Sequence, residues 1–188
     1  MDDNGVITSA AVEQTAPLDL PTLRPHRLGI GRYDLREGAL VRVGYHEQDV
    51  DGLLTEVPAL VGLPGPDLLL LNDDDLAYAK VALDQRSLAT AVAHVRDFAD
   101  GMPRALVLAA AWEMTFSASM PARAYVELVL AALDGLARER GVTVNELADD
   151  ALRAYLKKHA RPVTLRDALT QSARIIAAND PGRGRRKT

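Results

Sequence analysis

The stretch YHEQDV, residues 45–50, contains the residue types of a zinc peptidase. It begins like the signature H-E-x-x-H, but Val50 stands where the second zinc-binding histidine would be. The signature also requires a helix, because only a helical period places residues four apart on one face. The surrounding residues favour a strand, in which His46 and Glu47 point to opposite faces. We therefore predict an ordinary strand histidine and no metal site.

Two further short motifs suggest ligand binding and do not complete their patterns. The acidic run at residues 72–75, Asn-Asp-Asp-Asp, is followed by neither the central glycine nor the closing glutamate of a calcium loop. It predicts a polar turn between strands. The pair Gly29 and Gly31 lacks the third glycine and the following helix of a dinucleotide-binding fingerprint.

The remaining reactive residue types show no constellation either. The four histidines, at positions 26, 46, 94 and 159, fall in four different predicted elements, and none of their pairs has metal-ligand spacing. There is no G-x-S-x-G motif and no phosphate-binding P-loop. The absence of cysteine excludes disulfides and thiolate metal sites. We predict that this sequence contains no catalytic, cofactor-binding or metal-binding residue.

Composition narrows the class of protein. The 188 residues, 48% of them hydrophobic, suffice for one ordinary domain or two small ones. A net charge of -4 gives no general attraction to nucleic acid or to an anionic membrane, although the last residues, GRGRRKT, are basic. No signal peptide is visible, and no apolar run approaches the roughly 20 residues that span a bilayer. We predict a cytoplasmic protein without a membrane partner.

The first 84 residues predict a β-sandwich-like domain. The runs RLGIGRYDL and ALVRVGYHEQDV, joined by Arg36-Glu37-Gly38, indicate a hairpin. Four more strands are predicted in GVITSAAVEQ, LLTEVPALVG, DLLLLN and LAYAKVALD. Six short strands at this spacing are typical of a sandwich.

From residue 85 the apolar residues recur with helical spacing. One helix is predicted after a cap at Ser87, a second from Pro103, a third from Pro121 to a glycine cap at Gly141, a fourth after the capping box of Thr143 and Glu146, and a last one over residues 164–178. The fold class is therefore α+β, with strands first and an all-helical C-terminal half.

A long part of the chain resembles the aminopeptidase N family of zinc exopeptidases. The resemblance covers about residues 4–133 and rests on stretches such as LRPHRLGIGRYDL, PDLLLLNDDDLAYAKVALDQRSLATAV and MPARAYVELVLAAL. It implies that the strands form the small β-sandwich that follows the catalytic domain. It also implies that residues 85–133 begin the helical domain that covers the active site.

The residues that carry catalysis in that family are not found here. By the resemblance, the zinc ligands, the general-base glutamate, the exopeptidase loop and the transition-state tyrosine all lie upstream of the matching region. We therefore predict a detached or truncated, non-catalytic fragment that is inactive alone and has no cofactor, zinc being the cofactor of the related enzymes. Its partner would be an aminopeptidase catalytic domain or a second copy, through exposed apolar surface.

Residues 134–178 are predicted to be a helical extension of different origin, followed by a disordered basic tail over residues 179–188. Residues 120–158 resemble a ribbon-helix-helix regulator, with a glycine turn before VNEL. That class pairs a strand in the DNA major groove and meets a phosphate with a helix N-terminus. The alternative function is therefore DNA binding through residues 120–160, with Val144 and Asn145 at a phosphate. A third alternative is an accessory part that complements a separate aminopeptidase catalytic chain.

Overall fold

The structure is a computed structural model that describes residues 1–159 together with 164, 166, 168–170 and 172. It divides into two compact units, residues 1–136 and residues 137–188. The predicted basic tail over residues 179–188 and much of the predicted helix over 164–178 lie outside the described residues. The domain limits at residues 84 and 133 stay predictions.

The described residues of the first unit form five strands in two small antiparallel sheets. The strands are β1 (Ala11–Glu13), β2 (His26–Arg36), β3 (Ala39–Val50), β4 (Leu54–Glu56) and β5 (Leu68–Leu71). One sheet pairs β1 with β4, and the other has the order β3-β2-β5. The five strands precede the α-helices, so the predicted α+β class is confirmed.

The predicted hairpin is the longest feature of these sheets. Strands β2 and β3 are joined by Glu37 and Gly38, whose φ angles are 51° and 84°. Positive φ at both turn residues matches the twist of a two-residue hairpin. A bulge between Arg32 and Tyr33 shifts the register part-way along the pair.

The sixth predicted strand, LAYAKVALD, does not form. Residues 76–84 run without regular backbone pairing between the acidic turn and the first helix. One physical reason is visible at Ala77, where the Asn72 side chain bonds both backbone groups that a ladder would use, at 2.9 Å to the N–H and 2.7 Å to the carbonyl.

Three helices follow: α1 (Gln85–His94), α2 (Gly101–Phe116) and α3 (Ala122–Arg140). The predicted cap at Ser87 is wrong by three residues. Asp84 caps α1 and accepts hydrogen bonds from the backbone N–H of Arg86 and of Ser87. The Ser87 hydroxyl is buried and accepts from the Leu69 N–H at 2.8 Å, so it joins α1 to the edge of β5.

The hydrophobic core of the first unit consists of two clusters, and strands and helices share the larger one. Its larger cluster includes Tyr33, Leu40, Leu68 and Leu70 from the sheet and Val95, Phe98, Val107 and Leu128 from the helical segments. A second cluster joins the two sheets and includes Val12, Leu28, Ile30, Val50 and Val57. The arrangement is sandwich-like, and the helical layer covers the three-stranded sheet.

The second unit contains the end of α3 and helix α4 (Val144–Lys158). The predicted glycine cap is confirmed, with φ of 66° at Gly141 and a hydrogen bond from the Val142 N–H to the Ala137 carbonyl at 3.0 Å. The predicted capping box at Thr143 and Glu146 is confirmed as well. None of the helices in the described part of the chain combines the length and the hydropathy of a membrane span.

Candidate interaction surface

The acidic turn, residues 72–75, has an unusual backbone, with three non-glycine residues at positive φ. Asn72, Asp74 and Asp75 adopt φ angles of 55°, 69° and 53°. This left-handed region costs most side chains about 1–2 kcal/mol, and Asn and Asp tolerate it best after glycine. The composition of the run therefore suits its conformation. The run forms a turn after strand β5, but the prediction of a turn between two strands is wrong, because the strand expected after it does not form.

Asp73 anchors this turn from inside the protein. Its side chain is 1% exposed and accepts hydrogen bonds from the Tyr33 hydroxyl at 2.8 and 2.9 Å and from Arg42 at 3.2 Å. Burial, and next the hydrogen bond to Asp73, raises the pKa of Tyr33 far above its ordinary value. Hydrogen bonds to Asp74 and Asp73 raise the pKa of Arg42. Tyr33 therefore remains a neutral donor, and Arg42 remains a cation.

The two glycines of strand β2 make room for this anchor. A Cβ atom at Gly31 would overlap the Asp73 carboxylate, and one at Gly29 would overlap the Asp73 backbone carbonyl. The Cβ atom at Gly29 would also lie 2.6 Å from the Tyr45 hydroxyl. Gly29 and Gly31 do not form a nucleotide-binding motif. Because they lack side chains, they allow the acidic turn to pack closely against strand β2.

After the turn the chain presents exposed apolar side chains. Tyr78 is fully exposed, and Leu76 is half exposed. This segment faces helix α2 across a groove of about 270 Å³, which we call the aromatic groove. Its apolar lining includes Leu71, Val81, Leu106 and Ala110, and its aromatic side chains are Tyr78 and Trp112.

The charged groups of the aromatic groove are Asp75, Lys80 and Glu113. Lys80 pairs with Glu113 at 2.7 Å and lies 5.8 Å from the ring centre of the exposed Phe116. Within the described residues Asp75 has no cationic partner, and its carboxylate accepts only a 3.3 Å hydrogen bond from the Asn72 amide. The groove therefore carries one negative charge more than it carries positive charges.

This surface lies in a region with a recognised family. Residues 68–178, more than half of the chain, match a family model described as the ERAP1-like C-terminal domain. The chain belongs to this family. The ERAP1-like C-terminal domain begins at β5, so the match includes the acidic turn and both walls of the aromatic groove.

A named relative extends the match toward the N-terminus. Aminopeptidase N of Streptomyces lividans is 47% identical over 175 residues, which cover 89% of this chain and 20% of the relative. The chain thus spans about a fifth of the length of that relative. The resemblance to the aminopeptidase N family, identified from the sequence, is confirmed.

The match reaches further along the chain than the resemblance in the sequence did. The sequence analysis ended the resemblance near residue 133 and gave residues 134–178 a different origin. The ERAP1-like C-terminal domain extends through residue 178. Because that segment lies within the family match, we assign it no separate origin.

The residues predicted for a DNA contact lie at the start of α4. Val144 is half-buried and Asn145 is exposed, but the helix N-terminus is already occupied by its own carboxylate. Glu146 accepts hydrogen bonds from the backbone N–H of Thr143 at 2.8 Å and from its hydroxyl at 2.9 Å. The same bonds hold the pKa of Glu146 below its ordinary value. A phosphate would meet this negative charge first.

The strand required by the ribbon-helix-helix hypothesis is also not found. It would lie just before Pro121, where the sequence TFSASM is a poor candidate for a strand. In the structure residues 115–116 end α2, and residues 117–120 form a turn with φ of 61° at Ala118. In the part of the chain that the structure describes, the last strand ends at Leu71. DNA binding through Val144 and Asn145 stays an untested prediction.

His46 lies in strand β3, as predicted, opposite Ile30 of β2. It is half-buried, whereas Glu47 on the other face is exposed and pairs with Arg27 at 2.8 Å. Sequence reasoning missed the burial of Asp73 and the role of Gly31. No sequence signal identifies either one, because both depend on the contact between the acidic turn and strand β2.

Proposed function

We propose that this chain is a non-catalytic part of an aminopeptidase N-type enzyme and acts as a protein-interaction module. The observation that carries the proposal is the alignment, in which 89% of this chain corresponds to 20% of an aminopeptidase N at 47% identity. The counterpart of this chain is thus one portion of a much longer polypeptide. The partner would be the portion with the catalytic groups, and zinc would be held there.

The physical properties of the first unit support such a role. It has its own core, and it exposes Tyr78, Trp112 and Phe116 around the aromatic groove. Aromatic residues are enriched at protein interfaces, and exposed apolar patches mark contact sites. We also propose a cytoplasmic location, because a chain without cysteine needs no oxidising compartment.

The test uses this chain and the portion of the Streptomyces lividans aminopeptidase N that lies outside the aligned region. Each is purified alone, and the two are mixed at equal concentration. We expect sedimentation to show a one-to-one complex, and we expect this chain alone to release no amino acid from aminoacyl anilides. Heat-denatured chain is the control for the mixture. Chelator-sensitive hydrolysis by the chain alone, or no complex on mixing, would contradict the proposal.

The same mixture tests the accessory alternative. If this chain complements the catalytic portion, the hydrolysis rate rises on mixing and saturates at a one-to-one ratio. A complex without a rate increase supports an interaction module only. Salt-dependent binding to duplex DNA, measured on this chain in parallel, would instead favour the regulator hypothesis.

A further inference from the structure

We propose that the aromatic groove is a docking site for a partner segment in which an aliphatic side chain is followed by lysine or arginine. The proposed function supplies only the identity of the partner, which would be the catalytic portion of the enzyme. The chemistry of the segment is argued from the groove itself.

The groove selects an aliphatic side chain by its size and lining. Its volume of about 270 Å³ lies at the small end of ligand pockets, so it suits one or two side chains. The apolar lining, with Leu71 and Leu106, offers no fixed charge to an inserted group. Tyr78 and Trp112 add aromatic surface that the partner would cover.

The charge of the groove selects a cationic neighbour. Lys80 is neutralised by Glu113 at 2.7 Å, which leaves Asp75 as the carboxylate without a cation among the described residues. A lysine or arginine beside the inserted aliphatic group would complete this second pair. A glutamate in that position would meet an unpaired like charge.

The backbone of the acidic turn fixes Asp75 in place before a partner arrives. The left-handed φ of 53° at Asp75 persists because the buried Asp73 and the bonds from Asn72 to Ala77 hold the turn on both sides. Strain that is held in this way is a feature of functional sites. A preorganised carboxylate also loses less entropy on binding.

Trp112 provides a direct probe, because it is the only tryptophan of the chain and lines the groove. The experiment follows its fluorescence in the full chain during titration with N-acetyl-leucyl-arginine amide. N-acetyl-leucyl-glutamate amide is the matched control peptide. We expect a saturable change with the arginine peptide, with a dissociation constant on the order of 1 mM. The glutamate peptide is expected to bind at least fivefold more weakly.

Two exposed positions give variants that leave the core intact. Asp75→Asn keeps a residue that tolerates positive φ and removes the charge, so the arginine peptide should bind about threefold to fivefold more weakly. Tyr78→Ala removes a fully exposed ring and should weaken binding of both peptides. Circular dichroism of each variant checks that the fold is kept.

The inference is overturned if the two peptides bind equally, if neither changes the Trp112 signal up to solubility, or if Asp75→Asn has no effect on the preference. A second comparison uses the catalytic portion of the relative, whose complex with Asp75→Asn should dissociate at least threefold more readily. If the catalytic portion binds neither the unchanged chain nor Asp75→Asn, while the arginine peptide still binds better than the glutamate peptide, the proposed function is wrong. The inference about the chemistry of the groove is then retained. If the catalytic portion binds both forms equally, the groove is not its docking site.

Discussion

The acidic turn at residues 72–75 and the start of helix α4 at residues 143–146 are both short segments stabilised by a carboxylate, but their partners differ in sequence distance. Asp73 is held by Tyr33 and Arg42, which are 40 and 31 residues away. Glu146 is held by Thr143, three residues away. The difference teaches that a local cap secures one helix, whereas a buried carboxylate connects two strands and a turn into one unit. Disrupting the bonds of Asp73 should therefore destabilise the whole first unit, whereas disrupting those of Glu146 should destabilise only helix α4.

The largest effect is expected from Asp73→Ala. This change leaves the buried Tyr33 hydroxyl without its acceptor and removes one partner of Arg42. The free energy of unfolding should fall by about 3 kcal/mol, measured by urea denaturation. Asp74→Asn is the control, because Asp74 is exposed and asparagine also tolerates positive φ. The control should lower the free energy of unfolding by about 0.5 kcal/mol or less. Equal losses in the two variants would show that burial of Asp73 is energetically unimportant.

Gly31→Ala should lower the free energy of unfolding by about 2 kcal/mol, because the alanine Cβ would overlap the Asp73 carboxylate. Gly101→Ala is the matched control, since a Cβ there meets open space and the backbone has ordinary φ. A double-mutant cycle sharpens the result: in the Asp73→Ala background the Gly31 substitution should cost less. If the two losses in the free energy of unfolding, measured by urea denaturation, are strictly additive, the effect of the Gly31 substitution does not arise from its contact with Asp73.

Thr143→Ala tests the local side of the comparison. Loss of an N-cap hydroxyl should reduce the stability of α4 by about 1 kcal/mol, read from hydrogen exchange of its backbone amides. Amides of the three-stranded sheet should keep their protection. Thr115→Ala removes a hydroxyl that bonds within α2 and should have little effect on α4. Loss of sheet protection in Thr143→Ala would mean that the cap is not local.

The smallest effect is the pH dependence of the same cap. The folded pKa of Glu146 lies below its ordinary value of 4.5, so its contribution is present above that value and is lost as the pH falls through the lower folded pKa. Protection of the α4 amides should therefore decline in acid, and Glu146→Gln should remove this dependence. An identical acid profile in wild type and Glu146→Gln would place the titration elsewhere.

Much of the fold could be predicted because it depends on local sequence patterns. The hairpin of β2 and β3, the glycine cap at Gly141 and the capping box at Thr143 depend on residues within a few positions of one another. The two failures arise from side-chain contacts that follow no periodic or capping pattern. LAYAKVALD alternates like a strand, but the Asn72 side chain occupies the backbone groups of Ala77. Ser87 resembles a cap, but its hydroxyl bonds to β5.

The sequence by itself determined the fold class, most of the helix limits and the family, because periodicity, caps and idiosyncratic stretches are readable along the chain. Only the tertiary structure decided that Asp73 is buried, that Gly31 makes room for it, and that Asp75, Tyr78 and Trp112 line one groove. These features arise where a strand, a turn and a helix that are distant in sequence meet. Burial and charge pairing depend on those neighbours, and a one-dimensional pattern does not record which residues they are.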